Sequence, residues 1–316
     1  MNKITKNILI TAGILLCVGG ILMFVGSIFG GVFNGNINIG QIGAIRYTDS
    51  DCTKETIALE DFSDLTVETS FVDIDFVSGD KFELEIYAPQ DCYPTIESKG
   101  KMLIIKQPKN PENISMSFNK EAPYFKITAP EDVDYAINLG STSGDITITD
   151  HKISGNADST SGDTYISNIT ASSLKQNSTS GNLTLADSTV NELTLSHTSG
   201  DENLRNVTCN SITSGGTSAN LELSNVTTNI LSHNTTSGDV EGEGISVSDV
   251  NITGTSSDVE LVISGATEDY NYDIHTTSGD IEVGTMHTEG SYTSDSGKDK
   301  KIYVNTTSGD VELSFR

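Results

Sequence analysis

Tryptophan is absent from this chain, proline occurs six times, cysteine four times, and 18 basic residues face 44 acidic ones among 316. Each shortage excludes something. Without Trp, and with only 10 Tyr and 10 Phe, an aromatic platform for stacking sugars is poorly supplied. There is no CxxC and no dense cysteine framework, so neither a zinc ribbon nor a disulfide scaffold is encoded; a single Cys52–Cys92 bridge stays open beside free thiols. The net charge of −26 argues against nucleic acid and anionic lipid heads as partners. GxSxG, HExxH, P-loop and Rossmann patterns are all missing, and no His–Asp pairing singles out a serine nucleophile. No catalytic residue and no cofactor is assigned, and the chain is read as a non-enzyme. Stacked carboxylates could in principle flank a glycosidic bond, but nothing marks two of them as an acid/base pair.

Acidic residues are also missing from residues 1–45. Ile8 to Phe33 is an uncharged stretch of 26 residues, long enough to span a bilayer with some tilt. It is longer than a signal-peptide core and lacks a small-residue cleavage site, so it reads as an uncleaved signal anchor. Lys3 and Lys6 place the N-terminus in the cytoplasm and the rest outside. The expected organisation is a cytoplasmic tail at 1–7, a transmembrane anchor at 8–33, a linker at 34–55, irregular β-coils at 56–140 and regular coils at 141–316.

What the second half has is a phrase on a beat. TSGD ends at Asp145, Asp163, Asp201, Asp239, Asp280 and Asp310, and degenerate copies end at Asn182, Asn220 and Asp258. From Asp145 to Asp258 the steps are 18 and then 19 five times. Counting each terminal Asp or Asn as zero, position +1 reads Ile146, Thr164, Leu183, Glu202, Leu221, Val240, Val259, and position +3 is almost always Ile or Leu. Position +11 reads Leu174, Leu193, Ile212, Leu231, Val250. Apolar residues two apart mark strands with one buried face, and no segment after residue 45 sustains helical spacing. A fixed period near 20 residues signals stacked repeats. The fold expected is all-β: a parallel β-solenoid of ~19-residue coils, right-handed by the general preference for such connections. Gly supplies positive φ at the corner and Asp or Asn caps its own turn. The period loosens to 22 and 30 at the end, so the stretch Gly290–Lys301 reads as a protruding loop and the final VELSF as the strand that closes the stack.

The repeated Asp column is the one candidate cation site, with Asp201, Asp239 and Asp258 as its candidate ligands. The calcium-roll period of nine is absent, and the column reads as turn caps. His197, His233 and His275 precede a repeat Asp on coils roughly 10 Å apart, too far for one metal. With His151 and His287 they read as surface or corner residues. Nine N-x-S/T sequons, including Asn168, Asn206, Asn225 and Asn251, read as products of composition.

The run PYFKITAPEDVDYAINLGSTSGDITI at Pro123–Ile148, followed by tandem SGD units, resembles the bacterial adhesin-like family of β-strand-repeat proteins known as domain of unknown function 4097, over about residues 56–316. The anchor before such a domain is similar to LiaG-like envelope proteins. The resemblance implies a membrane-anchored surface module meeting an envelope protein or surface ligand. Envelope-stress regulation through protein partners is the alternative, and a polysaccharide-acting enzyme stands third.

Overall fold

The computed structural model of the chain describes residues 52–108 and 122–316. The expected membrane span and most of the expected linker lie outside them. Among the described residues no helix is long and apolar enough to cross a membrane.

The described chain is all-β and solenoid-like. Thr164, Leu183, Glu202, Leu221, Val240 and Val259 follow one another in parallel register, 19 residues per step. Leu174, Leu193, Ile212, Leu231 and Val250 form a second such row, and all five are buried. The strands alternate inward and outward residues: Leu221 and Leu223 are buried, while Glu222 and Ser224 are exposed. The inward rows therefore become continuous apolar columns from coil to coil.

Each coil turns at the TSGD phrase and again at position +5. The second corner is left-handed: φ is 60° at Asp150, 54° at Asn168, 50° at Asp187, and 54° at both Asn206 and Asn225, with Gly244 at 69°. Asn and Asp tolerate this region better than other non-glycine residues. Three of the sequons thus have a structural cause rather than a compositional one.

Both ends of the stack depart from chain order. Val259 pairs with Val311, which pairs in turn with Ile281, so the C-terminal strand Val311–Phe315 is slotted between two earlier segments. The expectation that VELSF closes the stack is corrected. The outermost element is the strand Met286–Ser294, antiparallel to Tyr270–Val283. Part of the expected loop is therefore paired strand, since Lys300–Ser308 also lies in parallel register with Tyr270–Val283. At the other end, Ile74 lies between Phe125 and Ile146, and Leu65 between Leu103 and Ile137. Antiparallel strands at Cys52–Ala58, Glu83–Pro89 and Thr95–Lys99 finish that end. Closing a stack this way covers edges that would otherwise template pairing with another chain.

Aromatic residues are concentrated where the stack ends. Phe76 meets Tyr135 edge-on at 5.1 Å and stacks on His151 at 3.9 Å. Tyr270 and Tyr272 pack on Phe315 at the other end. Between His151 and Asp269 the sole aromatic is Tyr165, which faces out. Narrow coils take Leu, Ile and Val; bulky rings fit where columns terminate.

Candidate functional site

The TSGD corner is held by bonds between coils. Asp145 Nα–H donates to Asp73 Oδ1 at 2.8 Å, Asp163 to Asp145 at 2.8 Å, Asn182 to Asp163 at 2.8 Å and Asp201 to Asn182 at 2.9 Å. Above these, Asp239 donates to Asn220 at 2.9 Å, Asp258 to Asp239 at 2.9 Å, Asp310 to Asp258 at 2.8 Å and Asp280 to Asp310 at 2.8 Å. Asn220 joins by its side-chain amide, which donates to Asp201 at 3.1 Å. The side chain of each corner residue thus serves the next coil, not its own turn as the sequence suggested. Burial pushes Asp73, at the end of the row, up to about 6.

The corner glycines are needed for room. A Cβ on Gly162 would lie 2.1 Å from the carbonyl oxygen of Gly144, and one on Gly181 1.9 Å from that of Gly162. Of the TSG glycines only Gly200 and Gly309 have positive φ. Close approach of stacked backbones therefore replaces the conformational reason expected for most of them.

Asp201, Asp239 and Asp258 all sit in this row, each with one carboxylate oxygen engaged. Among the described residues no group of three or more His, Cys, Asp or Glu is placed to hold a metal ion. No disulfide joins the described cysteines; Cys92 and Cys209 are buried, and burial pushes both thiols up to about 12.

The histidine reading needs correction. His151, His197 and His233 are buried, and only His275 and His287 are exposed. His197 Nε2 bonds Gln176 Oε1, and Gln176 Nε2 reaches Thr164 Oγ1 at 3.4 Å. Ser214 Oγ bonds Glu202 Oε2 and lies 2.9 Å from His233 Nδ1. Sequence reasoning missed this enclosed group, yet a signal existed. His233 lies two residues beyond the inward Leu231 and His197 four beyond Leu193, so strand alternation turns both inward. Glu202 itself occupies the inward +1 position.

With inward rows spent on packing and corners on bonding, chemistry available to a partner lies on the outer faces. One face carries an unbroken row of glutamates, in parallel register from Glu222 through Glu241, Glu260 and Glu312 to Glu282. All five are exposed. Successive carboxylates in such a row repel by about 1 kcal/mol in water. Of these five, only Glu282 has an ion-pair partner among the described residues, His287 at 3.2 Å. A shallow cleft of about 680 Å³ runs along the row, flanked by Arg205 and Arg316. A second, of about 800 Å³, follows another corner past Thr170, Thr189, Thr208 and Asn210.

An all-β stack of short parallel coils, closed at both ends by antiparallel strands, defines a solenoid-like repeat protein. The Toastrack DUF4097 family model matches residues 62–314, and the chain belongs to that family. No curated protein matches it. Among solved structures it is similar to a candidate lipid-binding protein from Parabacteroides distasonis ATCC 8503, at 15% identity and TM-score 0.51, covering 84% of this chain and 97% of that one. A candidate adhesin from Bacteroides fragilis NCTC 9343 matches at 15% identity and TM-score 0.47, covering 83% and 96%. A candidate adhesin from Parabacteroides distasonis ATCC 8503 matches at 14% identity and TM-score 0.41, covering 82% and 96%. At such identities the likeness concerns the fold alone.

Proposed function

We propose that this chain is a membrane-anchored, extracytoplasmic β-solenoid of the bacterial envelope, working as a non-enzymatic, adhesin-like interaction module. A single span at 8–33 holds it with the N-terminus in the cytoplasm, and the coils run right-handed outside. The observation that carries the reading is the division of labour among side chains. Inward columns pack and corner residues bond coil to coil, which leaves flat, repetitive outer rows as the chemistry on offer. Membership of the DUF4097 family, and a fold like that of a solved protein described as a candidate lipid-binding protein, support it. The partner is an envelope protein or surface ligand that meets the glutamate face with positive charge, and nucleic acid is disfavoured.

The test compares full-length wild type with a Glu222→Gln/Glu241→Gln/Glu260→Gln/Glu312→Gln variant, crosslinked on intact cells. The expected result is one partner enriched by wild type, at least tenfold less by the variant, and released by raised salt. Equal capture by both proteins, or release of sugar ends from envelope polysaccharide, overturns the reading.

A further inference from the structure

Six polar side chains are shut inside the columns over four adjacent coils. Thr164, Gln176 and Glu202 are 0% exposed, His197 and His233 1%, and Ser214 3%. His197 Nδ1, Glu202 Oε1 and His233 Nε2 have no hydrogen-bond partner. Buried ionisable groups without partners strongly favour their uncharged forms.

The hydrogen bonds leave no acceptor for a second proton on either histidine. Gln176 Oε1 accepts from His197 Nε2–H, so the neutral ring leaves the buried Nδ1 bare. A proton there has no acceptor. Ser214 has one hydroxyl proton but touches both Glu202 Oε2 and His233 Nδ1. Ser214 donates that proton to Glu202 Oε2 and therefore accepts from His233 Nδ1–H, which leaves Nε2 of the neutral ring bare. A further proton on His233 goes to Nε2, where it has no acceptor.

Outside the group itself, no counter-charge lines these columns. Leu183 and Leu221 flank Glu202 along its column, Ser178 and Gly216 flank His197, and Ser214 and Ile252 flank His233. The charged residues of the same strands, among them Lys175, Glu192, Arg205 and Glu222, are exposed, and half-buried Asp249 pairs with Lys301 at 3.9 Å. Cys209, also buried on these strands, lies against Val190 in a separate column. The titratable groups facing one another are thus His197, Glu202 and His233. His197 Nε2 approaches Glu202 Oε1 only to 4.0 Å, too long for a hydrogen bond, and burial outweighs this contact.

We infer that this enclosed network is a proton-operated weak point: the coils from Leu183 to Ile252 stay closed while its three ionisable groups are uncharged, and loosen when mild acid protonates the histidines. Such a point would let a rigid surface module change state with external pH, independently of what its outer face binds.

Burial pushes both histidines down to about 4 and Glu202 up to about 7. A histidine with a lowered folded value contributes fully above its ordinary 6.5, and the contribution is lost as pH falls toward 4. Glu202 has the opposite sign: its contribution is full below its ordinary 4.5 and lost as pH rises through 7. As pH falls from 7 to 5 each histidine raises the opening constant and Glu202 lowers it, two arms against one. The surface pulls the other way, since acid relieves the repulsion of a chain at −26.

Hydrogen exchange of the full-length chain at pH 7 and pH 5, corrected for the intrinsic rate, tests this over residues 183–252. Glu202→Gln removes the opposing arm, and acid should then loosen these coils at least tenfold more than in the wild type. His197→Gln with His233→Gln should reverse the sign, so that acid tightens them by tens of fold. Identical pH profiles for wild type and both variants would overturn the inference. Should the double variant fail to fold, nitrogen NMR of labelled histidines in the wild type decides. Rings of His197 and His233 still neutral at pH 5.5 support the inference, and rings already protonated at pH 6.5 refute it.

Discussion

Asp258 Oδ1 accepts a 2.8 Å hydrogen bond from the backbone N–H of Asp310, 52 residues further along the chain. The corner row therefore follows the order of coils in space. It passes from Asp239 to Asp258, crosses to Asp310, and only then reaches Asp280. The same phrase that turns the chain also identifies which coil lies above it, so a displaced terminal segment can be recognised by its own TSGD.

Removing that acceptor should be costly, and keeping an amide oxygen should not. Asp258→Ala orphans the Asp310 N–H and is expected to lose about 1–3 kcal/mol. Asp258→Asn retains the acceptor, as Asn182 and Asn220 do naturally, and is expected to lose well under 1 kcal/mol. Urea unfolding of the full-length chain checks both. Equal losses would mean that the carboxylate charge, not the bond, holds the corner.

Glycine at the corner should be irreplaceable for steric reasons. Gly162→Ala drives a Cβ to 2.1 Å from the carbonyl of Gly144, and neither backbone can yield without parting the coils. A loss of about 3 kcal/mol or more is expected. Gly290→Ala is the control, with φ of 79° and nothing within 4 Å of the added methyl. It should cost only about 1 kcal/mol, the strain of a positive φ. Melting temperatures of the two variants should separate clearly.

The period of 19 and the inward Leu, Ile and Val of positions +1, +3 and +11 were legible in the sequence, because in-register stacking repeats each residue's environment coil by coil. The swapped ends were not legible. Whether VELSF lies outside or inside Tyr270–Val283 depends on which strand meets Val259, and both segments carry the same TSGD signature. The bonds made by the Asp column were also hidden, since a turn cap and an inter-coil acceptor require the same residue. The inward turn of His197 and His233 is encoded in their even spacing from Leu193 and Leu231 but masked by their polar identity. The outer glutamate row was within reach, since Glu222, Glu241 and Glu260 are 19 apart, but Glu312 and Glu282 join it only through the swap.

Leu193 tests the coil register directly. It is 1% exposed, between Leu174 and Ile212 in its column. Leu193→Asp should cost several kcal/mol or force the carboxyl to stay neutral, with loss of cooperative folding around that coil. Denaturant titration followed by circular dichroism reads this out, and unchanged stability would mean that position +11 faces solvent.

Orientation can be read from proteolysis. Protease added to intact protoplasts should remove nearly the whole chain and leave a small N-terminal membrane fragment. Full protection of residues 56–316 would overturn the orientation argued from Lys3 and Lys6.

The last question is whether the corner carboxylates also hold a cation. Asp239 gives one oxygen to the N–H of Asp258, and Asp201 gives one to the side chain of Asn220. If these bonds are the reason for the column, Asp201→Asn with Asp239→Asn should change stability little, or raise it slightly by removing like-charge repulsion. Millimolar Ca²⁺ should then shift the melting temperature of the wild type no more than a monovalent salt at matched ionic strength. A site-specific ion would instead stabilise the fold in proportion to the logarithm of its concentration over its dissociation constant. A calcium-specific rise that the double substitution abolishes would make the TSGD row a binding site, because removing two carboxylates takes away ligands while leaving both amide acceptors in place.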